Sequence, residues 1–295
     1  MALSAMYRQA PVFRNTSLLP VSPPPPARLI EAAEASFLRS QVQTASRLFP
    51  DNGFTAIPLG NGIAGTTKRS FDWKLNRVSG LGMDGPVSET DIDRIERFYG
   101  RLNIQPYIDV CPFAHSSTMD VLRARGYSSC GGLNVHTLPL MEYEVGDEQT
   151  EDIDITRVFG EEDKTQFVNS SIEGFESGGR DLELRRTLAH TATLQPEARV
   201  YLAEINGQVA GGAGMAFLST RFGRVAELYI SSTVPKFRGK GVQTALLRKR
   251  LAEAKNSGIG IAVVNTWPGS ASVRNVDRVG FKLVYTRGIF TRPLG

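Results

Sequence analysis

Only two cysteines, Cys111 and Cys130, occur in the chain, too few for a disulfide-built scaffold, so reduced intracellular thiols are expected. No run of about 18 apolar residues is present, which excludes a bilayer-spanning helix. Three histidines, His115, His136 and His190, are scattered without metal-ligand spacing, so no metal site is expected. Acids are missing from residues 1–30, which hold Arg8, Arg14 and Arg28. Bases are missing from 142–154, which hold Glu142, Glu144, Asp147, Glu148, Glu151, Asp152 and Asp154. Such a one-signed block tends to be solvated, and a domain boundary is expected there. Against the 34 basic and 30 acidic side chains of the whole, the charge beyond residue 30 is near balance. A nucleic-acid surface is therefore not expected. The cytoplasm is the expected compartment. The acid-free start permits a mitochondrial leader as the alternative, although "SPPPPAR" reads as a polyproline spacer.

What is present fits a globular chain of two domains, 41% hydrophobic and 295 residues long. Residues 1–26 read as a flexible, Pro-rich start. Helices are expected over "PARLIEAAEASFLRSQVQTASRLF" and over "VSETDIDRIERFYGRL", the second opened by a Ser-x-x-Asp cap at Ser88. "NIQPYIDVCPF" reads as a strand. In the second half, "GEEDKTQFVNSSIEGF" and "DLELRRTLAHTA" suggest helices. Asn206-Gly207 between two apolar runs signals a tight hairpin. "GRVAELYISSTV" follows as a strand, then a glycine loop and a long helix. After these come the strand "GIGIAVVNTW", the helix "SASVRNVDRVG" and two strands, "FKLVY" and "GIFTRPL". A shift of 154 positions overlays Gly126-Tyr127 on Gly280-Phe281, Ser116 on Ser270 and Pro139 on Pro293, which suggests a duplication. At that shift Arg238, Gly239, Lys240 and Gly241 meet Asp84, Gly85, Pro86 and Val87. Only the C-terminal copy thus keeps a loop suited to phosphate.

That loop, "VPKFRGKGVQTALL", places Gly239 and Gly241 before a helix whose first amides lack internal partners. Phosphate oxygens satisfy such amides and the helix dipole together. Lys236, Arg238 and Lys240 add positive charge, and Pro235 is expected to splay the preceding strand. The loop is neither a dinucleotide-binding GxGxxG nor a P-loop ending in Gly-Lys-Ser/Thr.

With its flanking hairpin, long helix and closing "SASVRNVDRVGF", the segment from about residue 150 to 295 resembles the GNAT-type N-acetyltransferase superfamily. The resemblance implies an α+β fold of two tandem GNAT-like domains, each a mixed, mostly antiparallel sheet flanked by helices. Residues 27–145 would be a degenerate copy and 146–295 the acetyl-CoA-binding one. It further implies that the amides around Arg238, Gly239, Lys240, Gly241, Val242, Gln243 and Thr244 hold the pyrophosphate. The pantetheine arm would follow Thr233 and Val234, with Ser272 and Asn275 contacting the co-substrate. Gln243 departs from the family's Gly or Ala. The implied partners are acetyl-CoA and a primary amine of a small molecule or protein terminus, with the chain a monomer or homodimer. The alternative is an acyl-CoA-binding regulatory module without turnover.

For the chemistry, Glu227 is the candidate general base. Its even spacing from Thr233 puts both on one face of an uninterrupted strand. Many family members carry a tyrosine four residues before the closing glycine as the acid; here Val276 stands there. Tyr229 and Tyr285 are substitutes, with Tyr229 preferred. Asn265 is expected to cap the turn after its strand or to orient a ligand.

Overall fold

The computed structural model describes residues 25–144, 152–179 and 181–293. Most of the Pro-rich start and the middle of the acidic block lie outside these. Helix α1 (Pro25–Leu48) is followed by β1 (Thr55–Leu59), β2 (Gly62–Thr66), β3 (Val78–Ser79), α2 (Glu89–Gly100), β4 (Tyr107–Val110), α3 (Ser117–Ala124) and β5 (Ser128–Pro139). Then come β6 (Asp154–Arg157), α4 (Glu161–Gly174), α5 (Leu182–Leu194), β7 (Ala198–Ile205), β8 (Gln208–Thr220) and β9 (Gly223–Thr233). The chain continues with α6 (Val242–Asn256), β10 (Ile261–Thr266), α7 (Ala271–Arg278) and β11 (Lys282–Thr291).

These elements divide into two compact units. One takes the residues up to Asn134 with Thr220–Gly223 and Tyr285 onward; the other takes Val135–Ser219 and Arg224–Val284. In the first unit the strands run in the order β1-β2-β3-β4-β11. β1–β2, β2–β3 and β4–β11 are antiparallel, while β3–β4 is parallel. Its core joins Ile92, Ile95 and Tyr99 of α2 to Val78, Ile108 and Phe290 of the strands. In the second unit the order is β10-β9-β8-β7-β6, with β6–β7 and β7–β8 antiparallel and β9–β10 parallel. Leu246, Leu247, Leu251 and Ala254 of α6 pack there on Ala226 and Leu228 of β9 and on Phe281.

Local chemistry explains the elements. The turn between β7 and β8 puts Asn206 at φ 51° and Gly207 at φ 68°, the left-handed pair a two-residue hairpin requires. At α2 the Ser88 Oγ accepts from the Asp91 amide at 3.3 Å, and the Asp91 carboxylate accepts from the Ser88 amide at 2.9 Å. This is the reciprocal cap that the sequence pattern implies. Two features depart from expectation. The segments read as separate strands, "FKLVY" and "GIFTRPL", form the single strand β11, because Thr286 and Arg287 between them stay extended. The Thr286 hydroxyl donates to Asn134 at 2.9 Å, and Arg287 is fully buried against Glu31. Arg250 is likewise fully buried on the inner face of α6, donating to the carbonyls of Leu246 (3.0 Å) and Gly214 (2.8 Å).

The 154-residue periodicity extends to element bounds: α3 begins at Ser117 and α7 at Ala271, β4 at Tyr107 and β10 at Ile261, β5 at Ser128 and β11 at Lys282. The caps match as well. Gly126 and Gly280 are both left-handed, at φ 77° and 99°. The next amide returns to the helix in each case, Tyr127 to Leu122 at 2.9 Å and Phe281 to Val276 at 3.1 Å.

Candidate functional site

The second unit contains a strand that leaves its neighbour and leads to an open helix end. β9 and β10 pair in parallel only from Ala226–Ala262 to Leu228–Val264. Two residues on, Ile230 has φ 47°, a conformation that a β-branched residue adopts only under strain. Pairing with β10 thus ends before this left-handed bulge, and Pro235 lies beyond both, where it opens a short 3-10 turn over Pro235–Phe237. Close approach of β8 to the end of β9 depends on Gly211, where a Cβ would lie 2.4 Å from the Ser232 carbonyl oxygen.

The bulge also resets which side chains share a face. Ala226 and Leu228 pack toward α6, so Glu227 points to the other side. Tyr229 and Ile230 both pack against the cluster that holds Phe167 and Val168 of α4, and Ser232 abuts α4 at Gly174. Thr233 then turns toward α6, its hydroxyl accepting from Gln243 Nε2 at 2.9 Å. Glu227 and Thr233 thus lie on opposite faces. The even spacing assumed an uninterrupted strand, and the extra residue of the bulge inverts the parity.

Beyond the turn, Gly239 and Gly241 sit at φ 79° and 83°, open to glycine at no steric cost. A Cβ at Gly239 would meet nothing within 4 Å. Gly241 is the N-cap of α6 and supplies no capping side chain. The first intrahelical bond runs from Ala245 to Gly241 at 3.0 Å, so the amides of Val242, Gln243 and Thr244 have no acceptor within the helix. Arg238, Gly239, Lys240 and Gly241 are exposed, Thr244 is half-buried, and Val242 is buried in the core. The Arg238 guanidinium donates to the Gly174 carbonyl at 3.1 Å, while Lys236 and Lys240 lie over the Phe237 ring. The equivalent helix start in the first unit is closed. α2 has its capping box, and in the preceding glycine run Gly82 O accepts from the His115 amide at 2.8 Å. These residues fit a diphosphate at α6 and not at α2.

The remaining expected residues divide. Gln243 Nε2 also donates to the Ser232 carbonyl at 2.7 Å, tying α6 to the splayed strand. The Val234 amide is committed to Ala210 O at 3.0 Å, and its side chain is buried. On α7, Ser272 is exposed, and half-buried Asn275 accepts from Arg278 at 3.5 Å. Val276, in the tyrosine position, is buried in the core.

Glu227 is 4% exposed, and its Oε1 accepts from Asn265 Nδ2 at 3.0 Å. Asn265 therefore orients the carboxylate instead of only capping a turn, and Arg224 donates to the Ser257 carbonyl at 3.5 Å. The Tyr229 hydroxyl lies 3.5 Å from Gln195 Oε1. Burial first, then the Glu197 carboxylate, pushes its pKa above the usual phenol range, so it keeps its proton at neutral pH. Tyr285 belongs to the first unit, where it donates to Glu31 at 2.6 Å. Sequence reading missed Gln195, which is 34 residues from Tyr229 and joined to it only by the packing of α5. Among the described residues no cluster of His, Cys, Asp and Glu could hold a metal, and no helix is long and apolar enough to cross a membrane.

The family model described as Acetyltransferase (GNAT) family matches residues 164–281. No curated protein matches the chain. Among solved structures, a GCN5-related N-acetyltransferase from Kribbella flavida is 14% identical, with a TM-score of 0.64 over 88% of this chain and 96% of its own. One from Sphaerobacter thermophilus is 14% identical, with a TM-score of 0.56 over 92% and 94%. A tandem GNAT protein from the clavulanic acid biosynthesis pathway is 11% identical, with a TM-score of 0.58 over 79% and 78%. At such identities the likeness is one of fold, and that fold is α+β with two GNAT-like domains in tandem. Family model, splayed strand and open helix end coincide in the second unit, whose residues 164–281 match the GNAT acetyltransferase family model.

Proposed function

We propose that this chain is an acetyl-CoA-dependent N-acetyltransferase acting on a primary amine of a small molecule or protein terminus. The observation that carries the reading is the pair of left-handed glycines, 239 and 241, before an uncapped helix, next to a strand released from β10 after Leu228. Amides of 242–244 would hold the pyrophosphate, with Arg238 and Lys240 adding charge and the edge of β9 taking the pantetheine arm. Ser272 and Asn275 remain candidate contacts from α7.

An unprotonated amine adds its lone pair to the thioester carbonyl carbon, whose oxygen a β9 amide beyond Leu228 can polarise. The adduct collapses with formation of the amide C–N bond and loss of the C–S bond. The Glu227 carboxylate, oriented by Asn265, takes the amine proton, and the thiolate takes a proton from Tyr229 or from water. Residues 27–145 we read as a degenerate copy with no acyl-CoA site, 146–295 as the active one, and the compartment as the cytoplasm. Calorimetric titration with acetyl-CoA tests the reading. Gly241→Glu is expected to abolish binding with unchanged circular dichroism, and a wild-type chain that binds no acetyl-CoA overturns it. The buried Val276 in the tyrosine position favours one rival, an acyl-CoA-binding module without turnover. Binding without CoA release from any amine would select that rival.

A further inference from the structure

The inner face of α6 carries Val242, Leu246, Leu247, Leu251 and Ala254, and one residue that interrupts this apolar stripe, Arg250. Its side chain is fully buried, and a charge taken out of water is strongly disfavoured unless a counter-charge meets it. Among the described residues no carboxylate pairs with Arg250. Its partners are the Leu246 and Gly214 carbonyls, and its Nη2 has none. Two neutral acceptors are a poor return for a buried cation, so the charge itself calls for a use.

The neighbour of that charge in the candidate site is Tyr229. Gly214 of β8, whose carbonyl accepts from Arg250 Nη1 at 2.8 Å, also touches the tyrosine ring. A Cβ on Gly214 would lie 3.1 Å from both Cε1 and Cζ of Tyr229. Guanidinium and phenol therefore meet at the same glycine. Burial lowers the Arg250 pKa to about 9, so the charge persists at neutral pH, and Tyr201 and Tyr229 are the groups that support it. In turn, burial and then Glu197 raise the Tyr229 phenol, while Arg250 pulls it down. Glu227 stands two residues before Tyr229, on the same face of β9.

We infer that Arg250 is a positioning residue for acyl transfer that acts through Tyr229: its charge stabilises the phenolate left when the Tyr229 hydroxyl gives its proton to the departing thiolate. The inference rests on the transferase reading above and selects Tyr229 over water as the acid. A buried phenol on which the Glu197 and Glu227 carboxylates act would hold its proton too tightly to release it. A fixed positive charge at Gly214 offsets them. Being already desolvated, it needs no reorganisation as the phenolate forms. The protons balance. The amine proton passes to Glu227, the phenol proton passes to sulfur as the C–S bond breaks, and the proton on Glu227 then restores the phenol through water.

The test follows CoA release by the full chain with acetyl-CoA and the fastest amine of a primary-amine panel. Arg250→Met is expected to lower kcat about tenfold, within the coupling range of contacting groups. KM for the amine and the acetyl-CoA dissociation constant should stay within about twofold of the wild type, because the charge acts in the transition state. Arg250→Lys, which keeps the charge, should recover most of the loss. Arg250→Gln, which keeps only a donor for the Gly214 carbonyl, should not. In a Tyr229→Phe background, itself about 10²-fold slower or more, Arg250→Met should change kcat by less than about twofold, since no phenolate forms. An arginine that serves packing alone would add its full loss in that background. An unchanged kcat in Arg250→Met or in Tyr229→Phe, equal losses in both backgrounds, or equal behaviour of Lys and Gln overturns the inference. Should circular dichroism find Arg250→Met unfolded, the Lys and Gln pair carries the comparison. A wild-type chain that releases no CoA with any amine overturns the transferase reading itself, so the two failures are distinct.

Discussion

At the scale of single residues, Glu227 and Gly211 make different demands. Glu227 sits almost fully buried with one carboxylate oxygen held by Asn265 at 3.0 Å. If it removes the amine proton, Glu227→Gln lowers kcat by about 10²–10⁴-fold and leaves the acetyl-CoA dissociation constant unchanged in calorimetry. An unchanged kcat would make it a strand carboxylate satisfied by its neighbour and nothing more. Gly211 is fixed by backbone: a methyl group would lie 2.4 Å from Ser232 O and 3.1 Å from Thr233 Cα. Neither atom can yield without moving β9. Gly211→Ala is expected to destabilise by about 1–3 kcal/mol in urea titration, the usual cost of overpacking. Gly239 and Gly241 were legible in the sequence because glycine before a helix has a specific backbone use. The partners of Asn265 and Gln243, Glu227 and Thr233, were not, since a polar side chain acquires a partner only once packing brings its acceptor to about 3 Å.

Among elements, the contrast between the starts of α2 and α6 matters most. Both helices occupy equivalent places in the 154-residue periodicity, yet Ser88 and Asp91 close one while Gly241 leaves the other open. Ser88→Ala is expected to cost about 1 kcal/mol in the unfolding of the first unit. Acetyl-CoA affinity should not change, because that helix end is not offered to a ligand. Strand β9 teaches a second lesson. Its existence and direction follow from "GRVAELYISSTV", but the bulge at Ile230 does not, because nothing about isoleucine announces a φ of 47°. That one residue changes which side chains of β9 face α4. For the same reason, the even-spacing argument for Glu227 and Thr233 failed although the strand itself was read correctly.

Across the whole chain, the first unit depends on residues from both ends of the sequence. Arg287 of β11 donates to both Glu31 oxygens, at 3.0 and 3.2 Å from Nε, and lies 3.5 Å from Glu34. Arg77 joins Glu34 (2.6 Å) to Asp109 (2.9 Å), which also accepts from Trp73 at 2.8 Å. Burial raises the Asp109 pKa against the pull of Arg77. Removing one member leaves buried charge uncompensated. Arg287→Met is therefore expected to destabilise the first unit by about 3–5 kcal/mol, read from its urea transition.

The network also sets an acid limit. Burial alone would raise the Glu34 carboxyl, but Arg287 and Arg77 hold it down at about 2, below its unfolded value of about 4.3. A depressed carboxyl contributes stability that is present above the unfolded value and lost as pH falls through the folded one. The melting temperature should therefore fall between about pH 4.3 and pH 2. Glu34→Gln should be less stable at neutral pH and show a shallower fall over that window.

By itself the sequence determined the succession of helices and strands, the hairpin at Asn206-Gly207, the Ser88 cap, the duplication and the glycine loop. Each of these rests on local propensity, periodicity or backbone freedom, which are properties of neighbours along the chain. Tertiary structure alone decided the bulge, the partnership of Asn265 with Glu227, the burial of Arg250 and Arg287, and the joining of two expected strands into β11. Each of those depends on atoms distant in sequence meeting within a few ångströms, and no spacing along the chain encodes that distance.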